Sequence, residues 1–453
     1  TGDTVPGVDS DDWQTVYSND GRPDSKTQTI TFDEVQKARY VRLYVEHNTY
    51  DDPDGGTAWG NMSIYELEVY GGEPPMSPAE LADQIVVTAP KKGDTKLEVS
   101  LPEVDGYTVE YRGTDYEQVV DGEYNINAPL VNKDVKLAFK ITDDKTGTYE
   151  FVEKTVTIPG TLGETNQGNK APVILPELSE WYGGEGSFAL NESTQIIYTT
   201  DALKEVVDLF ASDLSAVTGM EFTAKSGAAG SDNAIVFTQD DSNEMIALGE
   251  EGDNLSVTGT RVTVTASNND AEWDGTTSAN WGAQTLLQAF EQGNGSIAQG
   301  EARDYPLYSV RGLILDVGRK TFTMESLYKL CRQMTYYKMN DLNIHLNDNY
   351  IPIEQYVADG IDPADPEKGA YSGFRMESDV KAGKTYELAG VEHTAQADLT
   401  STDLYYTKAE FKEFVRHFGV LGMNISPEID LPAHSLAITK VFNDLSYGVM
   451  RHR

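Results

Sequence analysis

The chain opens on alternation with period two. Ala38-Arg39-Tyr40-Val41-Arg42-Leu43-Tyr44-Val45 and Met62-Ser63-Ile64-Tyr65-Glu66-Leu67-Glu68-Val69-Tyr70 each put apolar and polar residues on opposite faces of an extended segment. Asp51-Asp52-Pro53-Asp54-Gly55-Gly56 supplies the turn chemistry between them. Residues 1–72 therefore read as β. Pro74-Pro75-Met76-Ser77-Pro78 reads as a linker. Short strands follow at Gln84–Ala89, Lys96–Leu101, Tyr107–Arg112, Val135–Ile141 and Tyr149–Ile158, a spacing that predicts a small immunoglobulin-like sandwich over 79–159, read as a spacer. Gly160–Ala171, rich in Gly, Asn and Thr and without apolar period, is a second linker.

Beyond Pro172 the pattern mixes α and β. Gln195–Thr199, Ala234–Thr238 and Arg261–Thr265 read as strands. Asp201–Thr218 carries Leu203, Val206, Val207, Phe210, Leu214 and Val217 on one helical stripe, and Ser278–Phe290 is a second helix. At Tyr308 the grammar becomes strand–helix–strand–helix–strand: Val310–Val317, a helix capped by Thr323, Asp341–Leu346, an insertion Asn347–Asp403, a helix opened by the capping box Thr407-Lys408-Ala409-Glu410, and a strand from Asn424. Such a sequence implies parallel strands joined by crossovers, as in the first part of a (β/α)₈ barrel. The expected fold is multidomain: β-sandwich modules, then a small α+β domain (172–303), then the first three βα units of a truncated TIM barrel (308–453).

Composition narrows the function. With 74 Asp and Glu against 35 Lys and Arg the formal charge is −39, which argues against nucleic acid and anionic membranes as partners and suits neutral ligands. No run of eighteen apolar residues exists to span a membrane. The single cysteine, Cys331, forbids an internal disulfide and falls in an apolar helical stripe.

Three strand ends carry the polar chemistry: Val310-Arg311-Gly312, His345-Leu346-Asn347-Asp348-Asn349 and Glu428-Ile429-Asp430-Leu431-Pro432-Ala433-His434. Barrel enzymes place their sites at the C-terminal ends of strands. Glu428 and Asp430, two apart on an extended strand, face the same way, and Pro432 turns the chain so that His434 comes back over the strand end. His345 and His434 are the only strand-end histidines, and no His-x-His or His-x-x-x-His pair stands ready for a catalytic metal.

Together, these motifs and the helix Gly282-Ala283-Gln284-Thr285-Leu286-Leu287-Gln288 resemble glycoside hydrolase family 20, the β-N-acetylhexosaminidases and lacto-N-biosidases, from about Pro172 onward. The resemblance implies substrate-assisted, retaining release of terminal β-linked N-acetylhexosamine, in which the substrate's 2-acetamido oxygen attacks the anomeric carbon. It assigns Arg311 to hydroxyls of the terminal sugar and Asp348 to the charge of the site. Asp430 and His434 become supports of the acid, with Glu428 either a member of that group or a structural carboxylate. His345 reads as a packed strand residue. Asn349, where hexosaminidases carry a second Asp, resembles the lacto-N-biosidase branch, which releases Gal-β-1,3-GlcNAc. Tyr350, Tyr356, Tyr371 and Phe374 of the insertion either wall a second sugar or decorate a surface loop.

The family carries its catalytic Asp-Glu pair at the end of a fourth strand. The one adjacent Asp-Glu here is Asp33-Glu34, in the first β region. The 453-residue chain is therefore expected to be an inactive fragment of an enzyme, with the pair expected beyond Arg453. Residues 1–72 resemble the C-terminal half of a discoidin-type (F5/8 type C) carbohydrate-binding sandwich, on Ala38–Leu43 and Ser63–Val69. That resemblance allows Glu66 to hold a structural calcium and Trp59 to stack on a sugar. GlcNAc-containing glycans are the expected partners, with no other cofactor. The expected location is outside a bacterial cell or on its surface. The competing reading is a non-catalytic carbohydrate-binding protein.

Overall fold

The structure, a computed structural model, describes residues 77–268, 275–349 and 372–445 together with scattered positions between Val5 and Val69. Asp33-Glu34, Trp59, Pro74, Pro75, Met76, Tyr350, Tyr356, Tyr371 and, in the two alternating runs, Arg39, Val45, Met62, Ser63, Tyr65 and Tyr70 lie outside the described residues. The backbone divides into two compact units, Thr1–Gln84 and Ile85–Arg453.

In the first unit no described residue before Ser77 belongs to a strand. Glu66 is exposed and belongs to neither group of three potential metal ligands found among the described residues. Of the linker expected at 74–78 only Ser77 and Pro78 are described, and Pro78 opens a helix, Pro78–Gln84. Ser77-Pro78-Ala79-Glu80 is a capping box: Ser77 N and Oγ donate to Glu80 Oε2 (2.7 and 2.8 Å) and Glu80 N donates to Ser77 Oγ (3.3 Å). Proline at the first helical position loses no hydrogen bond, so Pro78 is compatible with a helix start.

In the second unit, Tyr107–Thr114, Lys133–Asp143 and Tyr149–Ile158 form an antiparallel sheet with Lys133–Asp143 in the middle, and Val86–Val87 pairs with Val99–Ser100. Next comes a seven-stranded mixed sheet in the order Glu180–Ala189, Ser296–Asp304, Asp253–Val257, Arg261–Ser267, Ala234–Asp240, Gln195–Tyr198, Ala224–Ser226. Helices Lys204–Thr218 and Thr276–Gln292 pack on it. The strands Glu180–Ala189, Asp253–Val257 and Ser296–Asp304 are not evident in the residue pattern. The first contains Gly183, Gly184 and Gly186, which carry no side chain to mark a face.

Helix Thr276–Gln292 is buried at every residue from Thr276 to Phe290. Its polar side chains satisfy backbone ends elsewhere: Asn280 Nδ2 donates to Leu421 O (2.9 Å), and Gln288 Nε2 donates to Tyr336 O (2.7 Å) and Leu175 O (2.9 Å). Leu421 and Tyr336 close the two helices of the following αβ segment, whose last carbonyls have no intrahelical donor. Beside this helix lies a buried ionic group. Lys338 Nζ donates to Asp304 Oδ2 and to Thr285 Oγ1, and fully buried Asp253 lies opposite Asp304 in the sheet. Burial holds the Asp253 carboxyl well above the usual carboxylate range, although the Lys338 charge opposes this.

Strands Gly312–Asp316, Asp341–His345 and Asn424–Glu428 form a parallel sheet, with the Asp341–His345 strand central. Helices Met324–Tyr336 and Lys408–Val420 connect them. Thr323 Oγ1 accepts from Ser326 N, and the Thr407–Glu410 capping box is complete. Leu327, Cys331 and Met334 of one helix and Phe411, Phe414 and Phe418 of the other join a single apolar core with the mixed sheet. Burial pushes the Cys331 thiol up to about 12, as befits a core residue. Within the insertion, Asn347–Asn349 pairs with Ser372–Phe374, and Thr385–Leu388 with Val391–Thr394 forms a hairpin.

Candidate active site

The parallel register sets Asp316, His345 and Glu428 side by side, one at the C-terminal end of each strand. Immediately beyond lies Asp348, wholly buried. Its carboxylate takes four short contacts from donors. Oδ1 accepts from Asn349 N (2.6 Å) and His434 Nδ1 (2.8 Å). Oδ2 accepts from His345 Nε2 (2.7 Å) and Arg319 (2.7 Å). Burial by itself would raise the Asp348 pKa; the four donors outweigh it and hold the carboxyl below its ordinary value.

His345 bridges two carboxylates, with Nδ1 2.6 Å from Glu428 Oε1 and Nε2 2.7 Å from Asp348 Oδ2. Both ring nitrogens then act as donors, which describes an imidazolium. Its pKa is raised: burial acts against the charge, but the bonds to Glu428 and Asp348 prevail. Arg319 completes the group. Its guanidinium reaches Asp316 Oδ2 (2.8 Å) as well as Asp348, and its backbone N donates to Asp316 Oδ1 (3.0 Å).

The third strand ends at Glu428, so Asp430 does not continue its face as the spacing predicted. Asp430 sits in the following turn, with its carboxylate 3.9 Å from His434 Nε2. Fully buried Asn347 fastens this turn. Its Oδ1 accepts from Asp430 N (2.8 Å), and its Nδ2 donates to the carbonyls of Asp430 (3.2 Å) and His434 (2.9 Å). His434 takes a positive φ of 53°, uncommon for a residue with a side chain, and this backbone aims its ring at Asp348.

Arg311 departs from its expected place. It precedes the Gly312–Asp316 strand and therefore lies at the sheet's N-terminal end, opposite the Asp348 group. There its guanidinium pairs with Glu251 and donates to the carbonyls of Lys338 (2.7 Å) and Tyr308 (2.8 Å). The arginine at the site end is Arg319. It follows the strand rather than preceding it, and barrel sites gather where strands finish. His345 is the buried last residue of its strand, as expected, and it also bridges the group, because its neighbours at the strand ends are carboxylates.

The groups Asp316–His345–Asp348 and His345–Asp430–His434 bring potential metal-ligand atoms within 4.8 Å. Yet both nitrogens of His345 and both oxygens of Asp348 already hold protein partners, and Arg319 supplies the positive charge an ion would bring. The arrangement suits a fixed carboxylate that orients a guanidinium and two imidazoles toward a ligand.

Comparison with known proteins places this geometry. The profile of glycosyl hydrolase family 20, domain 2, matches residues 171–305, and that of the family's catalytic domain matches residues 308–452. The chain belongs to glycosyl hydrolase family 20. It is 32% identical over 164 residues to a beta-hexosaminidase of Akkermansia muciniphila, covering 35% of this chain and 28% of that protein. A lacto-N-biosidase of Bifidobacterium bifidum is 24% identical over 264 residues, 58% of this chain and 19% of the relative. A beta-hexosaminidase of Porphyromonas gingivalis is 24% identical over 285 residues, 60% and 32% of the two chains. The chain therefore spans less than a third of the length of each of these relatives.

Proposed function

We propose that residues 308–445 form the sugar-recognising part of a (β/α)₈-barrel glycoside hydrolase that releases terminal β-linked N-acetylhexosamine from GlcNAc-containing glycans. The observation that carries this reading is the buried Asp348 carboxylate holding Arg319, His345 and His434 at the C-terminal ends of three parallel strands. Family membership supports the reaction class, and the substrate-assisted, retaining course follows from it. In that course the acetamido oxygen of the sugar is the nucleophile, an Asp orients the acetamido group and a Glu protonates the leaving oxygen. Residues 308–453 contain no adjacent Asp-Glu pair. This chain's own residues supply the electrostatic frame. Arg319, a third exposed, offers its remaining N–H groups to sugar hydroxyls, and Asp430 and His434 stand 3.9 Å apart at the rim.

Asn349 beside Asp348 and the match to a lacto-N-biosidase favour a second reading, release of Gal-β-1,3-GlcNAc. Residues 1–72 add a discoidin-type sugar-binding module in this proposal, with Glu66 as its calcium ligand, and the protein acts outside a bacterial cell or on its surface.

Ligand-observed NMR of the 453-residue polypeptide with GlcNAc, lacto-N-biose and galactose tests the reading. Binding of GlcNAc or lacto-N-biose that Arg319→Ala measurably weakens supports it, and the preferred sugar separates the two readings. Absence of GlcNAc and lacto-N-biose binding, or binding indifferent to Arg319→Ala, overturns it. Chromogenic GlcNAc glycosides should stay intact; turnover would mean that the acid lies elsewhere in these residues.

A further inference from the structure

Arg375 is among the largest side chains with no exposure at all. A buried guanidinium is tolerated only when its donors are satisfied, and one carboxylate does not satisfy five N–H groups. Here the side chain is spread over four acceptors. Its NH1 donates to Asp403 Oδ1 (2.5 Å) and Leu404 O (3.0 Å), its Nε to Val317 O (2.9 Å) and its NH2 to Gly318 O (3.1 Å). Two of these acceptors are the carbonyls of the residues immediately before Arg319.

The amide side of the same turn is also held. Val317 N and Gly318 N both donate to His345 O (3.1 and 3.0 Å). Gly318 lies so close to the neighbouring chain that a Cβ would meet Asn347 C and Asp348 N at 2.8 Å. The turn is thus pressed flat on the Asn347–Asp348 backbone, its N–H groups fixed by the second strand and its carbonyls by Arg375. That placement brings the Arg319 guanidinium to 2.7 Å from Asp348. Arg375 itself is pinned by its backbone, with N donating to Leu346 O (2.9 Å) and O accepting from Tyr406 N (2.7 Å).

We infer that Arg375 is a positioning residue for the sugar site: through the Val317 and Gly318 carbonyls it sets where the Arg319 guanidinium stands. The planar fork is required. A lysine at this position retains the charge, but its three N–H groups cannot serve three carbonyls and a carboxylate as the fork does. The inference rests on the proposed sugar site only for its consequence in binding; the placement of Arg319 is tested separately.

The experiment records arginine Nε–H resonances of the ¹⁵N-labelled 453-residue protein. Arg319 is assigned by Arg319→Lys and Arg311 by Arg311→Lys. Arg311 is the internal control, because its Nε–H donates to Lys338 O at the other end of the same strand. In Arg375→Lys the Arg319 signal should lose its dispersed, exchange-protected position while the Arg311 signal stays. Asp403→Asn, which removes the one carboxylate from Arg375 without changing its size, should move Arg319 in the same direction and serves if Arg375→Lys does not fold. An Arg319 signal unchanged in a folded variant, or Arg311 moving equally with it, overturns the inference. Where the wild-type protein binds GlcNAc, the loss of affinity in Arg375→Lys should vanish in an Arg319→Ala background; losses that multiply would mean that Arg375 acts by another route. Failure of the wild-type protein to bind any sugar would sink the functional reading and leave the resonance result to decide this one.

Discussion

His345 Nε2 stands 2.7 Å from Asp348 Oδ2, and the two residues titrate in opposite directions: the imidazole is held protonated and the carboxyl ionised. Each is the other's reason. Without the imidazolium, a wholly buried carboxylate would lose one of its four donors, and without the carboxylates a largely buried imidazole would shed its proton.

Removing the bridge should be costly. His345→Gln retains bulk but not charge, and breaking a buried charged pair by taking one partner typically costs about 3–5 kcal/mol. Urea denaturation at pH 6 should show a loss of that order. A change under ~0.5 kcal/mol would mean that Asp348 is satisfied without His345.

The pair also predicts a pH window. The Asp348 carboxyl is depressed, so its stabilisation is present above the unfolded value of about 3.9 and lost as pH falls through the folded one. The His345 pKa is raised, so its contribution is complete below the unfolded value of about 6.5 and lost as pH rises through the folded one. Their joint contribution is greatest between about pH 4 and 6.5. Wild-type stability should decline on the alkaline side of this window more steeply than that of His345→Gln; parallel curves would refute the raised imidazole.

Arg311 and Arg319 should separate cleanly. Arg319→Ala removes charged hydrogen bonds worth about 1.5–3 kcal/mol each and should weaken GlcNAc binding at least tenfold. Arg311→Ala should leave sugar affinity within about twofold while lowering stability by roughly 1–3 kcal/mol, because it releases Glu251 and two carbonyls. Calorimetric titration and thermal melts of both variants decide the matter; loss of sugar binding in Arg311→Ala alone would restore the expectation drawn from the sequence.

Asp253 gives a prediction of opposite sign. Its folded pKa lies above the unfolded one, so its contribution is most favourable below about pH 3.9 and falls as pH rises. Asp253→Asn should therefore gain on wild type between pH 4 and pH 7, by about 1.4 kcal/mol for each unit of pKa elevation crossed. A variant that loses ground over this range would show Asp253 acting as an ionised partner of Lys338.

Local order was legible where adjacent residues decide it. The box Thr407–Glu410, the apolar stripes of helices Lys204–Thr218 and Met324–Tyr336, and the three parallel strands were all readable, because caps and helical spacing act within a few residues. The motifs around Asp348 and His434 were readable too. What pattern alone did not separate was Arg311 from Arg319, eight positions apart on either side of one strand; strand direction puts them at opposite ends of the sheet. Nor could it reveal His345 as a bridge, since its partner Glu428 is 83 residues away and meets it only through parallel register. The role of Arg375 was hidden for the same reason. A buried arginine announces itself only by what surrounds it, and the Val317, Gly318, Asp403 and Leu404 acceptors come from two distant stretches of chain. The sequence by itself determined the capped helices, the three parallel strands and which chemical groups are present. Tertiary structure decided which groups meet, because hydrogen bonds and ion pairs act over about 3 Å of space whatever the separation along the chain.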